Sequence, residues 1–412
     1  MVKISKNEKL NFKVIIVLIS TVVSYAYPPV AVPDGFAKGT TGGGNATPIV
    51  VKSASEFKNA VEGNSAAVII VQGRIDLGGI VSIGSNKTII GADSKSGVYG
   101  GTVKSKGKNI IIQNMSFGPS IGDVMEFSRG ANKVFIKNCE FHDSSDELLS
   151  IVHWSDSITI CWCRFYFDKP ESHSFAHLIG HEDSYIVDRG KFHVTFHHNW
   201  YDKGVVERMP RVRYGKVHIY NNYYASDITN YVIGVGVESQ ILLEGSYFKD
   251  QGEQTWYDWK NGKIQWTDDN IFSGNTKMST WAPNSQVFKP PYDYKVDKTE
   301  NVPDIVMAGA GNKIVAIGDL FKAGPSSKSS NLVDLINFRS SRPRLQFNLD
   351  KNTDINIVIY DITGRAVTTV LNRQMSAGSH SVKFNRSDLS SGVYYLRFRT
   401  KSAGQVLKVV DY

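Results

Sequence analysis

The chain of 412 residues is long enough to bury a large core and to form two or three domains. Lys and Arg outnumber Asp and Glu by 47 to 39, a formal net charge of +8, which favours acidic partners: nucleic acid, anionic lipid or an acidic polysaccharide. The three cysteines, Cys139, Cys161 and Cys163, do not form a zinc signature, because no second Cys or His pair lies at metal-site spacing.

At the N-terminus, Lys3, Lys6, Lys9 and Lys13 precede the apolar run VIIVLISTVV, and Ser24-Tyr25-Ala26 ends it with a small residue suited to cleavage. Residues 1–26 therefore read as a secretory signal, too short for a comfortable membrane span; a retained anchor is the alternative. Its removal deletes four Lys and one Glu, so the charge falls from +8 to +5. In an exported basic protein the acidic polysaccharide becomes the best partner, with no nucleic acid bound and no membrane span in the mature chain.

The stretch GTTGGG lacks the Lys-Ser/Thr of a phosphate loop and reads as a turn. SASEFKNAV, Ser53 to Val61, predicts an amphipathic helix capped by Ser53 or Ser55, with Phe57, Ala60 and Val61 on its apolar face. Seven later segments share an ending: NIIIQNMSF, KVFIKNCEF, SITICWCRF, VTFHHNWY, VHIYNNYY, ILLEGSYF and IQWTDDNIF. Their last aromatics, Phe117, Phe141, Phe165, Tyr201, Tyr224, Phe248 and Phe272, are spaced by 24, 24, 36, 23, 24 and 24 residues. Two residues before each stand Met115, Cys139, Cys163, Asn199, Asn222, Ser246 and Asn270.

Short β-branched and aromatic strands at a fixed period, with no helical pattern between them, predict stacked coils of a right-handed parallel β-helix. An antiparallel sandwich would instead need hairpin turns and no constant period. Equivalent residues should then form axial columns of aromatic rings and of hydrogen-bonding Asn, and the helix at Ser53 should cap the first coil. Cys139 and Cys163 would stack on neighbouring coils at bridgeable distance. The one long interval places its excess within Asp168 to Gly190, expected to leave the solenoid as a loop on the binding face.

The segment VERMPRVRYG gathers Arg208, Arg211 and Arg213 around Pro210. Guanidinium forks pair bidentately with carboxylates, such as those a polyuronate presents on every sugar. Arg211 and Arg213 would share one face of an extended segment, and an internal network with Asp and Glu is the alternative. Asp123, Asp143, Asp146 and Glu147 offer the oxygen ligands that a hard cation such as Ca²⁺ prefers, unless they are solvated turn carboxylates. Beyond about Phe321, KAGPSSKSSN reads as a linker, and short strands from Arg344 onward predict a small C-terminal β-sandwich-like domain. The expected organisation is a signal over 1–26, a β-helix over 27–321, a linker over 322–343 and a β-domain over 344–412.

From about Gly35 to Phe321 the chain resembles the pectate lyase family, through SNKTIIGAD, NIIIQNMSF, LIGHEDS, VTFHHNWYD and RMPRVRYGKVHIYNNYY, in the family's order. The resemblance implies a polysaccharide lyase that cleaves α-1,4-polygalacturonate by Ca²⁺-assisted β-elimination, acting as a monomer. It implies Arg208 as the catalytic base and Arg213, with Arg211 beside it, as a substrate-binding arginine. Lys169 in FDKP corresponds to the substrate-binding lysine. Asp123 and Asp146 correspond to metal ligands, while the third acidic position is Ser150 here. Glu147 or Asp143 would replace the missing carboxylate, or Ca²⁺ would bind more weakly until substrate supplies oxygens. The tail resembles type IX sorting domains through YDITGRAV, AGSHSVKF, LSSGVYYLRF and LKVV, which implies passage through the periplasm and a secreted or cell-surface location. The alternatives are a Ca²⁺-independent pectin lyase, which Ser150 leaves open, and a non-catalytic polyuronate-binding solenoid.

Overall fold

The computed structural model describes residues 30–258, 260–313, 333–336, 344–361, 366–384, 392–400 and 404–411. The predicted signal and most of the predicted linker lie outside the described residues. Up to residue 273 the chain winds so that its coils contribute strands to three parallel sheets of ten, eight and nine strands. Alternation within each strand sends one set of side chains inward. Val134, Ile158, Val194, Val217 and Ile241 lie in one register, all buried, on successive coils of the ten-stranded sheet. This is the parallel β-solenoid expected from the repeat.

Both axial columns are present. The rings of Phe117, Phe141, Phe165, Tyr201, Tyr224, Phe248 and Phe272 stack at centroid separations of 4.5–5.3 Å. Beside them a hydrogen-bond ladder climbs the axis. Cys163 N donates to Asn199 Oδ1 at 3.0 Å, Asn199 N to Asn222 Oδ1 at 2.8 Å, Asn222 N to Ser246 Oγ at 3.2 Å, and Ser246 N to Asn270 Oδ1 at 2.9 Å. The residue before each of the first six positions of this column, Met115 to Ser246, turns the chain through left-handed backbone. Asn114, Asn138, Trp162, His198, Asn221 and Gly245 have φ between 47° and 59°.

The predicted helix spans Ala54–Val61, and its N-cap is Ser53. Glu56 N donates to Ser53 Oγ at 3.4 Å, and Ser53 N donates back to Glu56 Oε2 at 3.1 Å. Phe57 and Val61 enter the same core as Val51, Ile69 and Ile83 of the first coils, while Ala60 packs at its margin. The C-terminal strands form two antiparallel sheets, of three and four strands, that share one core containing Leu345, Phe347, Ile357, Leu396 and Phe398. Among the described residues, no helix is long and apolar enough to cross a membrane.

Cys139 and Cys163 occupy equivalent places on neighbouring coils, as expected, and all three thiols are free and buried. Cys139 Sγ donates to Lys137 O at 3.4 Å and Cys163 Sγ to Cys161 O at 3.3 Å, and the two thiols also contact each other across the coils. The stretch Asp168 to Gly190 is not a single loop. It holds the strand Phe175–Ile179 of the eight-stranded sheet, and its extra length is divided between the turns before and after that strand.

Asn222 tests the ladder, because its amide accepts from Asn199 N and donates to Phe196 O at 3.0 Å. Asn222→Ala removes the partner of both buried backbone groups, and should cost about 2–6 kcal/mol at about 1–3 kcal/mol each. Urea unfolding followed by circular dichroism reads this loss, and an unchanged midpoint would refute a structural role for the ladder.

Candidate active site

The turns entering the eight-stranded sheet bring distant carboxylates together. Asp123 precedes the strand Met125–Phe127, and Asp146 precedes the strand Glu147–Ile151 one coil further on. Oxygens of Asp123, Asp146 and Glu147 all lie within 4.8 Å of one another, and Glu147 N donates to Asp123 Oδ1 at 3.1 Å. Ser150 is buried beside this group, and its hydroxyl bonds the Asp123 carboxylate. Burial pushes Asp123 up to about 6 despite that bond. Burial, a hydrogen bond with Asp146 and the nearby Asp123 push Glu147 up to about 9, with Arg208 opposing. Three carboxyl groups thus crowd beside one guanidinium. An oxygen-only donor set whose ionisation is opposed by burial and mutual repulsion fits a hard divalent cation such as Ca²⁺, which would favour the ionised forms.

Arg208 arrives two coils beyond Glu147. The ladder runs from Glu147 to Phe175 and from Phe175 to Glu207. Arg208 itself has φ of 64°, so the chain kinks there before Met209. Its guanidinium lies 4.1 Å from the Phe175 ring centroid and reaches across that ring to pair with Glu147 through Nη1. Tyr231 from the following coil also bonds Arg208. Only 18 % of the Arg208 side chain is exposed, so its head is fixed by packing. Beneath it, His177 N donates to Arg208 O at 2.7 Å.

Arg211 and Arg213 stand next along the chain, and glycines make room for them. Arg211 is in register with Leu178 and Gly234, and a Cβ at Gly234 would come within 2.9 Å of Arg211 Cγ. Arg213 packs between Gly180, where an added Cβ would meet its own Cβ at 2.7 Å, and Gly236. Burial, with Arg213 and Arg208 nearby, holds Arg211 below the ordinary arginine range. Arg213 is buried and donates through Nε to Asp183 Oδ1 at 2.6 Å and through Nη1 to Gly180 O at 3.1 Å. Asp183 also pairs with Lys260 at 2.8 Å, and Lys260 and Arg213 together hold it down at about 2.

Lys169 is exposed on the turn before Phe175–Ile179. Asp143 stays out of the carboxylate group. It accepts from Asp168 N at 2.8 Å and Lys169 N at 3.3 Å, and pairs with His142 at 2.8 Å. Asp143 therefore shapes the turn that carries Lys169, and Glu147 is the acid that joins Asp123 and Asp146. Sequence reasoning missed Phe175, Asp183, Lys260 and Tyr231, which steady the arginines. The motif LIGHEDS held Asp183, and VIGVG held the two glycines at the spacing of Arg211 and Arg213.

Residues 13–313 match the family model described as pectate lyase, and residues 344–410 match that of a secretion system C-terminal sorting domain. Pectate lyase B of Colletotrichum gloeosporioides is 31% identical over 293 residues, 68% of this chain and 85% of that protein. Pectate lyase E of Dickeya chrysanthemi is 34% identical over 266 residues, 51% of this chain and 68% of that protein. The solved structure of a thermostable pectate lyase superposes with a TM-score of 0.60 at 25% identity, covering 69% of this chain and 98% of its own.

The packing beneath Arg208 is testable through His177. This ring is fully buried against Phe165, Phe196 and Tyr201, and its Nδ1 donates to Leu149 O at 3.3 Å. Burial lowers it from 6.5 to about 3. The folded state refuses a proton that the unfolded state accepts, so its contribution is complete above pH 6.5 and is lost as pH falls toward 3. Between those values His177→Leu should lose less stability than the parent chain, as read from urea unfolding at several pH values. Parallel losses in the two proteins would show that His177 is not buried neutral.

Proposed function

The chain belongs to the pectate lyase family of polysaccharide lyases, and from that premise we propose that it cleaves α-1,4-polygalacturonate by Ca²⁺-assisted β-elimination to unsaturated oligogalacturonides. One observation carries this reading: the carboxylates Asp123, Asp146 and Glu147 meet Arg208 at one edge of a sheet along which Arg211 and Arg213 continue the positive row.

Asp123, Asp146 and Glu147 are the residues to hold Ca²⁺, with Ser150 orienting Asp123 where a further acid would otherwise stand. Bound there, the ion would supply stabilisation of the charge that builds on the uronate as C5 is deprotonated. Arg211, Arg213 and Lys169 are the residues to receive uronate carboxylates, the arginines by their forks and Lys169 as a mobile point charge. Arg213 does so from a position set by Asp183, which limits its reach and fixes its direction.

Arg208 takes the proton from C5. The C5–H electron pair becomes the C4–C5 double bond, the C4–O4 bond breaks, and the departing O4 is protonated from solvent. A guanidinium is ordinarily protonated throughout the working range, so the neutral form needed for this step is scarce and its share rises with pH. Glu147 counts here in a second way. While it is paired with Arg208 it favours the charged arginine, and engaging its oxygens elsewhere removes that bias. The reading thus joins metal binding and base readiness through one carboxylate.

The sorting tail supports export, and we propose the route through the periplasm with delivery by the type IX machinery to the medium or cell surface, the protein acting as a monomer.

Ultraviolet absorbance of unsaturated product from polygalacturonate at alkaline pH tests the reading. Chelator should abolish activity and added Ca²⁺ restore it. Arg208→Ala should remain folded and lose about 10²–10⁴-fold in kcat, the contribution typical of a positioned acid–base group. Full activity in that variant would remove Arg208 from the mechanism. Indifference to chelator, with methylated pectin the better substrate, would replace this reading with a Ca²⁺-independent pectin lyase.

A further inference from the structure

On the outer face of the ten-stranded sheet, away from the carboxylates just described, four side chains form a chain of contacts. Asp34 Oδ1 lies 3.2 Å from His197 Nε2, His197 Nδ1 lies 2.8 Å from His198 Nδ1, and His198 Nε2 lies 3.1 Å from Asp297 Oδ2. Each contact joins two atoms that repel unless a hydrogen or a cation sits between them. Two neutral imidazoles supply one N–H each, which serves two of the three contacts. The chain is therefore short of one positive charge. At its Asp34 end a third donor is in place: the sulfur of Cys161 is in ladder register with His197, and the ligand atoms of Asp34, Cys161 and His197 all lie within 4.8 Å of one another.

We propose that Asp34, Cys161 and His197 bind a Zn²⁺ ion at this place. A thiolate, an imidazole and a carboxylate suit Zn²⁺, whereas Ca²⁺ and Mg²⁺ prefer oxygen alone. With Zn²⁺ on His197 Nε2, His197 Nδ1–H donates to His198 Nδ1 and His198 Nε2–H donates to Asp297, so every ring nitrogen is satisfied. That relay is the support a metal-bound histidine ordinarily has behind it. The thiolate and the Asp34 and Asp297 carboxylates face Zn²⁺, Lys137, which stands in register with Cys161 and acts on Asp34, and Lys295, which acts on Asp297. Cys161 is fully buried, but the Asp34 side chain is 46 % exposed, which leaves an entry path and a fourth position for water.

The surroundings hold these donors in place. The segment carrying Asp34 is tied to the sheet by Thr159, whose hydroxyl donates to Asp34 O at 2.8 Å and accepts from Ala37 N at 3.1 Å. The His197 ring stacks on Tyr220 at 4.8 Å and the His198 ring on Trp162 at 4.4 Å. Trp162 and His198 occupy the left-handed turn position that Asn or Gly fills at the other four turns named above, with φ of 55° and 54°. Bulky residues keep that backbone only where their surroundings impose it.

Cobalt is the probe. The full chain is stripped with chelator, supplied with excess Ca²⁺ to occupy the oxygen cluster, and titrated with Co²⁺. One equivalent should produce a near-ultraviolet thiolate-to-cobalt band that Zn²⁺ abolishes and Ca²⁺ does not, and elemental analysis should find one Zn²⁺ per chain. Cys161→Ser should lose the band. Asp297→Asn, which touches no metal, should weaken Zn²⁺ binding about 10–100-fold. If Cys161→Ser fails to fold by circular dichroism, the half-exposed Asp34→Asn serves in its place and should weaken binding about tenfold or more. No thiolate band in the parent chain would overturn the proposal and leave a shared proton as the missing charge. A band that survives Cys161→Ser, or affinity unchanged in the aspartate variants, would overturn it as well.

Discussion

Backbone hydrogen bonds between successive coils run along the solenoid axis, and they fix which residue stands above which. A slip of one residue between coils would exchange inward and outward faces, so the register must be held at every turn. The Asn199, Asn222, Ser246 and Asn270 ladder holds it on one corner, where left-handed turn residues set the kink. Glu147 and Arg208 are 61 residues apart in the chain, yet they face each other because the ladder Glu147, Phe175 and Glu207 brings the two turns into line.

That constraint sends charge to the outside of the coil, where it gathers in strips. The interior column is aromatic and aliphatic, and few charged groups enter it. Along the edge of the eight-stranded sheet the carboxylates come first and the arginines follow. Asp183 lies in the lengthened turn after Phe175–Ile179 and holds Arg213 and Lys260 at once. The added chain length has a physical role there: it carries one carboxylate to an arginine row that would otherwise repel itself. Glycines at 180, 234 and 236 are the other half of the arrangement, since side chains there would occupy the space that Arg211 and Arg213 fill.

The ten-stranded sheet handles polar groups differently. Its outer face is covered by the N-terminal segment around Asp34 and by the segment bearing Tyr292 and Asp297, so that histidines there are largely buried. Burial removes water as a partner, and each ring nitrogen must find one in the protein. His218 does so completely, between Tyr292 at 2.8 Å and Glu244 at 2.8 Å. The His197 and His198 pair, closed by a carboxylate at both ends, does not reach that balance with neutral rings alone.

The repeat of aromatic-ended segments determined the solenoid and the two axial columns, because parallel coils place equal sequence positions above one another and a periodic pattern is enough to read them; the capping helix was legible from its own Ser cap and apolar face. The resemblance in RMPRVRYG marked the arginines, and the motif order marked Asp123 and Asp146. Tertiary structure decided the rest. It chose Glu147 over Asp143 as the third clustered acid, because Asp143 is used to cap the turn at Asp168 and Lys169. It left Cys139 and Cys163 as separate thiols, and it carried Cys161 outward to meet Asp34 and His197. Such meetings depend on how long each turn is and which way its residues face, quantities that no spacing along the chain expresses and that only the closed stack of coils fixes.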